Sequence, residues 1–206
     1  MKKIILTLAL VAAAATSASA QFGIGAGYLN SSMKESSSSE SLALNGAYIE
    51  GTYSLPLADG LCFVPGLRYS FATTSDVSAL EIEDFKAAGI DITMNEHYVS
   101  VPLMFQYGYD LGGAKLFAFA GPTLNAGLAS SLSVKLDIAG FTGDEDVDLF
   151  KDVFNRFDVS VGGGLGVEFS NIQVKAGYDF GLLNKSTDDR SKLNCKQLRV
   201  GVAYLF

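Results

Sequence analysis

Charge and long apolar runs are the first things this 206-residue chain has little of. Charged residues make up 18%, and the 15 basic side chains are outnumbered by 22 acidic ones, for a net charge of −7. An acidic chain with no basic patch is not a nucleic-acid binder that works through phosphate contacts. Beyond the N-terminus no apolar run approaches the ~18 residues of a transmembrane helix. Tryptophan is absent, proline numbers 4 and cysteine 2, and the one histidine is His97. Against these gaps stand 49% hydrophobic residues, 22 glycines, 14 phenylalanines and 9 tyrosines. That is too apolar for a disordered chain, and the length suits one domain. The apolar residues therefore belong to a large soluble core or to strands that face lipid.

The first twenty residues read as an export signal. Lys2 and Lys3 precede the apolar stretch Ile4 to Ala15, which is too short to span a bilayer, and Ser17 to Ala20 supply small residues before a cleavage point at Gln21. No cysteine follows that point to carry a lipid anchor. The division is thus a signal peptide over 1–20 and a single domain over 21–206, whose net charge falls to −9 once the two lysines are removed.

Within that domain the apolar residues alternate. Phe157, Val159, Val161, Leu165, Val167 and Phe169 interleave with Asp158, Ser160, Gly162, Gly164, Gly166 and Glu168. Ile172 to Leu182 and Leu198 to Phe206 repeat the pattern. Period two sustained over eleven or more residues means long strands with one apolar face, of the length that crosses a bilayer at a tilt. Strands are expected over 22–30, 41–55, 61–72, 96–109, 115–129, 157–169, 172–183 and 196–206. The connections alternate between short turns (56–60, 110–114, 170–171) and long loops (31–40, 73–95, 130–156, 184–195), as in outer-membrane barrels.

Alternation alone does not say which face points inward, since a soluble lipocalin-like barrel gives a similar string. Three features decide. The polar face is rich in glycine (Gly23, Gly25, Gly27, Gly162, Gly164, Gly166), which suits a narrow interior. The chain ends on the aromatic Phe206. Apolar-face aromatics recur near strand ends (Phe22, Tyr53, Tyr109, Phe169, Tyr204), where girdle residues meet the membrane boundary. The expected fold is an all-β, eight-stranded antiparallel up-and-down transmembrane barrel with short periplasmic turns and long extracellular loops.

Four short stretches carry a resemblance: Tyr98 to Leu103 (YVSVPL), Ala120-Gly121-Pro122, Asp179 to Asn184 (DFGLLN) and the terminal Tyr204-Leu205-Phe206. In order and spacing they resemble the PorT-type outer-membrane β-barrel family of Bacteroidetes. The resemblance implies an eight-stranded barrel in the outer membrane. It implies no substrate, because most members lack a defined activity and a few assist secretion. Pro102 and Pro122 each lack a ladder N–H, so a bulge or irregularity is expected at both.

The inward set contains a polar network of Glu50, Arg68, Gln106, Asp158, Glu168, Lys175, Asp179 and Arg199. Hairpin register puts Glu50 diagonal to Arg68, and the turn at 170–171 brings Glu168 near Lys175. Charges in so narrow a lumen must pair, and the expected result is a salt-bridged plug rather than an open pore. His97 and Ser100 fall on opposite faces of one strand, which argues against a Ser/His couple. Asp144, Asp146 and Asp148 begin like a calcium loop, yet Leu149 and Asn155 stand where glycine and glutamate are needed. Thr142 to Glu145 reads as a capping box opening a short helix towards Phe157, and Ser78 opens another to Ala88. Cys62 at the periplasmic end and Cys195 at the outer end are expected to be too far apart for a disulfide.

The functional expectation is a non-enzymatic outer-membrane protein, structural or interacting through acidic extracellular loops. No cofactor, metal or nucleic acid is expected. Its surroundings are outer-membrane lipid and lipopolysaccharide, with a protein partner at the loops. The alternatives are a narrow barrel that binds or transports small hydrophobic molecules and, less favoured, a lipid-modifying enzyme.

Overall fold

The computed structural model describes residues 21–35, 41–74, 90–138, 141–148, 150, 155–185 and 193–206. The signal-peptide reading and the helix expected from Ser78 lie outside them. Nine strands follow in chain order: β1 (Gln21–Glu35), β2 (Ser41–Ala58), β3 (Leu61–Thr74), β4 (Ile90–Asp110), β5 (Lys115–Ile138), β6 (Phe141–Asp148), β7 (Phe157–Phe169), β8 (Ile172–Gly181) and β9 (Leu193–Leu205). Eight of them close a ring through β4-β3-β2-β1-β9-β8-β7-β5, with β5 pairing back onto β4, all antiparallel. Closure satisfies both backbone edges of every strand in the ring, which is the condition for crossing lipid without a helix. Among the described residues no helix is long and apolar enough to cross a membrane.

Tight turns join strands at one rim. Asp59-Gly60 links β2 to β3, with Gly60 in the left-handed region at φ 71°. Ser170-Asn171 links β7 to β8, and 111–114 links β4 to β5. Gln21 and Phe206 lie at this rim too. The long connections leave from the other rim.

Alternation sorts the side chains. On β9 and the residue after it, Leu198, Val200, Val202, Tyr204 and Phe206 point out and are exposed, whereas Arg199, Gly201, Ala203 and Leu205 are buried within the barrel. Eight residue steps of about 3.4 Å at a tilt near 40° cover roughly 20 Å, close to the apolar band of about 25 Å in outer-membrane barrels. The aromatics Phe22, Tyr109, Phe169, Tyr204 and Phe206 crowd the turn rim, all exposed.

Near the loop rim the sorting reverses. On β1 the outward residues change from Phe22, Ile24 and Tyr28 to Asn30 and Ser32, while the inward ones change from Gly23, Gly25 and Gly27 to Leu29 and Met33. Asn30 bonds Asn45 across the β1–β2 ladder at 2.9 Å. Lys196 is outward and exposed at the same level. Inside, Leu29, Met33, Leu42, Leu44, Tyr48, Ala72 and Met94 pack together as a buried cluster. The strand walls continue past the apolar band and enclose a small core of ordinary soluble type.

Three expectations need correction. β4 and β5 run to 21 and 24 residues, well beyond 96–109 and 115–129. Their outer ends pair with each other, Met94 with Leu132 and Ile92 with Val134, and β5 then turns into β6. The helix expected from Thr142 is therefore strand over 141–148, while beyond it Phe150 is helical and 149 and 151–154 lie outside the described residues. A capping box is a local signal, and here the backbone groups of β5 above the ring offer the segment a whole ladder instead. An extended strand also does not have the curl of a calcium loop. Finally, the irregularity expected at Pro102 and Pro122 is a gap in the ladder rather than a bulge. The β4–β5 register is the same on either side of them, Pro102 with Thr123 and Phe105 with Ala120, with the two pairs between left out of the ladder. The register shifts fall at Pro56/Ala58 and at His97/Tyr98, where β5 carries one extra residue against β4.

Candidate functional site

The interior of the ring is the most chemically distinctive part of the molecule. Glu50 on β2 and Arg68 on β3 are direct register partners rather than diagonal neighbours. Arg68 donates through Nε and Nη2 to Glu50 Oε2 at 2.9 and 2.8 Å. Lys175 on β8 donates to Oε1 of the same carboxylate from the opposite wall. Across the β8–β9 ladder, Arg199 donates through Nη2 to Asp179 at 2.5 Å. The guanidinium of Arg68 also lies 5.3 Å from the ring centre of Tyr48, a cation–π contact. Glu50, Arg68, Asp179 and Arg199 are each buried to within a few per cent. Four charges this deep persist only because each has a partner of opposite sign.

The remaining network residues are spread along the axis. Gln106 is buried at the turn-rim side. Glu168 accepts from Gln173 at 2.8 Å. Its expected neighbour Lys175 sits opposite Gly166 in register and reaches across the lumen instead, because glycine offers no side chain to hold it at the wall. Asp158 lies nearer the loop rim and lines a cavity with Lys185 and Ser160.

Aromatic rings fill the space between. Phe117 and Phe119 on β5 point inward and are buried. They pack where Gly164, Gly166 and Gly177 leave the facing wall bare, and a Cβ at Gly164 would come within 2.6 Å of the Phe119 ring. Tyr48 likewise occupies the space over Gly27 and Gly201. The glycine-rich inner face is the counterpart of three large rings.

A further buried ion pair closes the outer end. Lys185, in the connection after β8, reaches inward to Glu96 on β4 at 2.5 Å. It also lies 5.3 Å from the ring centre of Tyr98. Burial by itself would lower the Lys185 pKa, but the adjacent Glu96 carboxylate holds it above the ordinary lysine value. Phe150 is buried edge-on against Tyr98 and covers Gly127, so a ring from the β6–β7 connection is seated in the mouth. Nothing in the sequence pointed to Glu96 or Lys185, since each sits in or beside a segment read as loop; Phe150 was signalled by the apolar spacing of Val147, Phe150 and Phe154, too hydrophobic for an exposed loop. The apolar mouth did leave a trace: the apolar parity of β1 switches from even to odd numbers at Leu29.

The space left inside is small. An outer cavity of about 60 Å³ lies beneath Lys185 and Glu96, and a central one of about 30 Å³ lies between Arg68, Lys175 and Arg199. At the turn rim a vestibule of about 360 Å³ is lined by Gln21, Lys115 and Glu168, among others. His97 is on the lipid side, where its Nδ1 is 2.7 Å from the Tyr69 hydroxyl. Ser100 is on the lumen side and donates to Asn125 at 2.7 Å, so the wall separates the two. Cys62 and Cys195 are free, one near the β2–β3 turn and the other at the outer end of β9. Among the described residues no group of His, Cys, Asp or Glu is arranged to hold a metal ion.

A closed ring of eight strands with an apolar outer band and a polar, plugged interior defines a transmembrane β-barrel of the outer-membrane kind. The sequence matches the outer membrane protein beta-barrel domain family over residues 14–186, and the chain belongs to that family. No curated protein matches it. Among solved structures it is similar to a major outer membrane protein from Thermus thermophilus, at 16% identity and a TM-score of 0.54, covering 91% of this chain and 100% of that one. It is also similar to Ail, the attachment invasion locus protein of Yersinia pestis (14% identity, TM-score 0.48, covering 90% and 98%). A third is the outer membrane enzyme PagL (12% identity, TM-score 0.47, covering 88% and 98%). At 16% identity the likeness to the Thermus thermophilus protein speaks to the fold alone. Function has to be argued from the site.

Proposed function

We propose that this outer-membrane barrel has no catalytic role and serves as a rigid, closed anchor that presents its outer strands and acidic connections for interaction. The observation that carries this reading is the doubly filled interior. The Glu50–Arg68–Lys175 and Asp179–Arg199 pairs occupy the middle, and the apolar cluster with Lys185–Glu96 occupies the mouth. Aqueous pores need far more strands than eight. The separation of His97 from Ser100 gives no support to an acyl-transfer couple. Leu44 and Leu29, which would line a site for small hydrophobic molecules, are packed against their neighbours with 0% and 1% exposure.

The reading extends to the export signal, cleaved before Gln21, and to surroundings of lipopolysaccharide and phospholipid. A protein partner would engage the outer extension. There β6 forms the edge of the sheet, and its sequence holds Asp144, Glu145, Asp146 and Asp148, the charge that natural edge strands use against unspecific pairing. Membership of the PorT-type group within the wider family is part of the same proposal and rests on the four motifs above.

The test is reconstitution of the full chain in liposomes containing lipopolysaccharide. The expected result is sugar permeability at the level of empty liposomes, with lipid A and phospholipid species unchanged by mass spectrometry. Loss or transfer of an acyl chain would overturn the non-catalytic reading, and swelling in small sugars would overturn the closed one.

A further inference from the structure

The charges of the lumen do not balance at every level. At the outer end Glu96 is paired with Lys185, and at the turn rim Lys115 stands opposite Glu168 in register. Between them the central cavity of about 30 Å³ is walled by Arg68, Lys175 and Arg199, with Glu50 its one carboxylate. Both oxygens of Glu50 are already taken, one by Arg68 and the other by Lys175. Asp179 neutralises Arg199 from the far side, where it lines the outer cavity rather than this one. Among the described residues the central group therefore holds three cations against two carboxylates. Arg199 has 3% exposure, and its Nε is buried without a hydrogen-bond partner. An uncompensated charge and an idle guanidinium N–H are each costly when buried.

We infer that the central cavity binds a small monovalent anion of the chloride class, held by Arg199 Nε and by the surplus charge of Arg68 and Lys175. The size fits. A water needs about 10–15 Å³ on this measure, so the cavity takes a monatomic halide or two waters but not a tetrahedral oxyanion. The rest of the wall suits a weakly hydrated ion, with Phe119 and Gln106 beside the cations. The anion would make the plug neutral and occupy the N–H that the protein leaves idle.

Bromide is the probe, because it substitutes for chloride and scatters anomalously. Crystals of the detergent-solubilised full chain soaked in sodium bromide should show an anomalous peak in the central cavity within hydrogen-bond distance of Arg199. In solution the urea midpoint should rise and then saturate with bromide at fixed ionic strength, set with gluconate. Lys175→Met removes the surplus cation, and its midpoint should be insensitive to bromide while the unboiled protein still migrates as a compact barrel. A cavity holding only water in the bromide map overturns the inference, whatever the variant does. So does a midpoint that responds equally to all sodium salts.

Discussion

On β1, Phe22 to Tyr28 alternate apolar-out and glycine-in, whereas from Leu29 to Met33 the large apolar residues, Leu29 and Met33, point in on either side of a buried Ser31, and Asn30 and Ser32 point out. The same strands thus build two different objects. The lower one is surrounded by lipid and filled with ion pairs, and the upper one is surrounded by water and filled with leucine and methionine. The side-chain period never breaks on β1; only the chemistry assigned to its two phases is exchanged. What lies outside the wall dictates this. In lipid the outer face must be apolar, and a narrow interior then takes the polar residues in pairs. Above the lipid the outer face is solvated, and the interior reverts to the hydrophobic core of a water-soluble barrel. Lys185 and Glu96 are an ion pair set into this mouth, beside the buried hydroxyls of Ser31, Ser70 and Ser130.

The largest expected effect comes from splitting the lower network. Glu50→Ala leaves Arg68 and Lys175 both facing an empty position, and truncating one partner of a buried ion pair costs about 3–5 kcal/mol. Urea unfolding in detergent or lipid should show a loss of that size. A loss below about 1 kcal/mol, the scale of a solvent-screened pair, would mean that water already fills the lumen, and the contrast between dry plug and dry core would fall. Next is a test of where the inversion sits. Arginine at Val202, midway along the outward apolar run of β9, should cost about 2–4 kcal/mol, whereas arginine at Ser32, level with Lys196, should cost about 0–1 kcal/mol. Equal costs at the two positions would erase the boundary drawn through Asn30 and Lys196.

The smallest effect concerns the mouth and its pH dependence. The Lys185 pKa is raised in the folded protein, so its pairing stabilises fully below the ordinary lysine value of 10.5 and the contribution is lost as pH climbs from there through the folded value. The stability difference between wild type and Lys185→Met should therefore be flat from about pH 7 to 9 and shrink in stronger alkali. A difference that instead changes between about pH 5 and 8, the range of histidine, would point to some other group as the one that matters.

Much of this architecture was legible as alternation. The strands β7, β8 and β9 came out within a few residues because each is an uninterrupted period-two run bounded by a two-residue turn or the chain end. The inward identity of Glu50, Arg68, Asp179 and Arg199 followed from parity once the outer face was taken as apolar. Who bonds whom did not follow. Lys175 was placed beside Glu168 by proximity along the hairpin, and it bonds to Glu50 because the ring brings β8 across from β2. The helix expected at Thr142 failed for a related reason, since a local cap competes poorly with a ladder offered by a strand seen only in three dimensions. Phe117 and Phe119 had no assigned side, and the glycines facing them decide it.

The sequence by itself determined a membrane-crossing barrel with a polar interior, because period two and residue polarity are properties of the chain read two positions at a time. Closure decided the rest. Only the ring brings Lys175 and Arg68 to one carboxylate, sets Lys185 against Glu96, and leaves three cations around one cavity. Those contacts join residues up to 125 positions apart, as with Lys175 and Glu50. Their energies depend on burial and partner geometry, neither of which any single strand possesses.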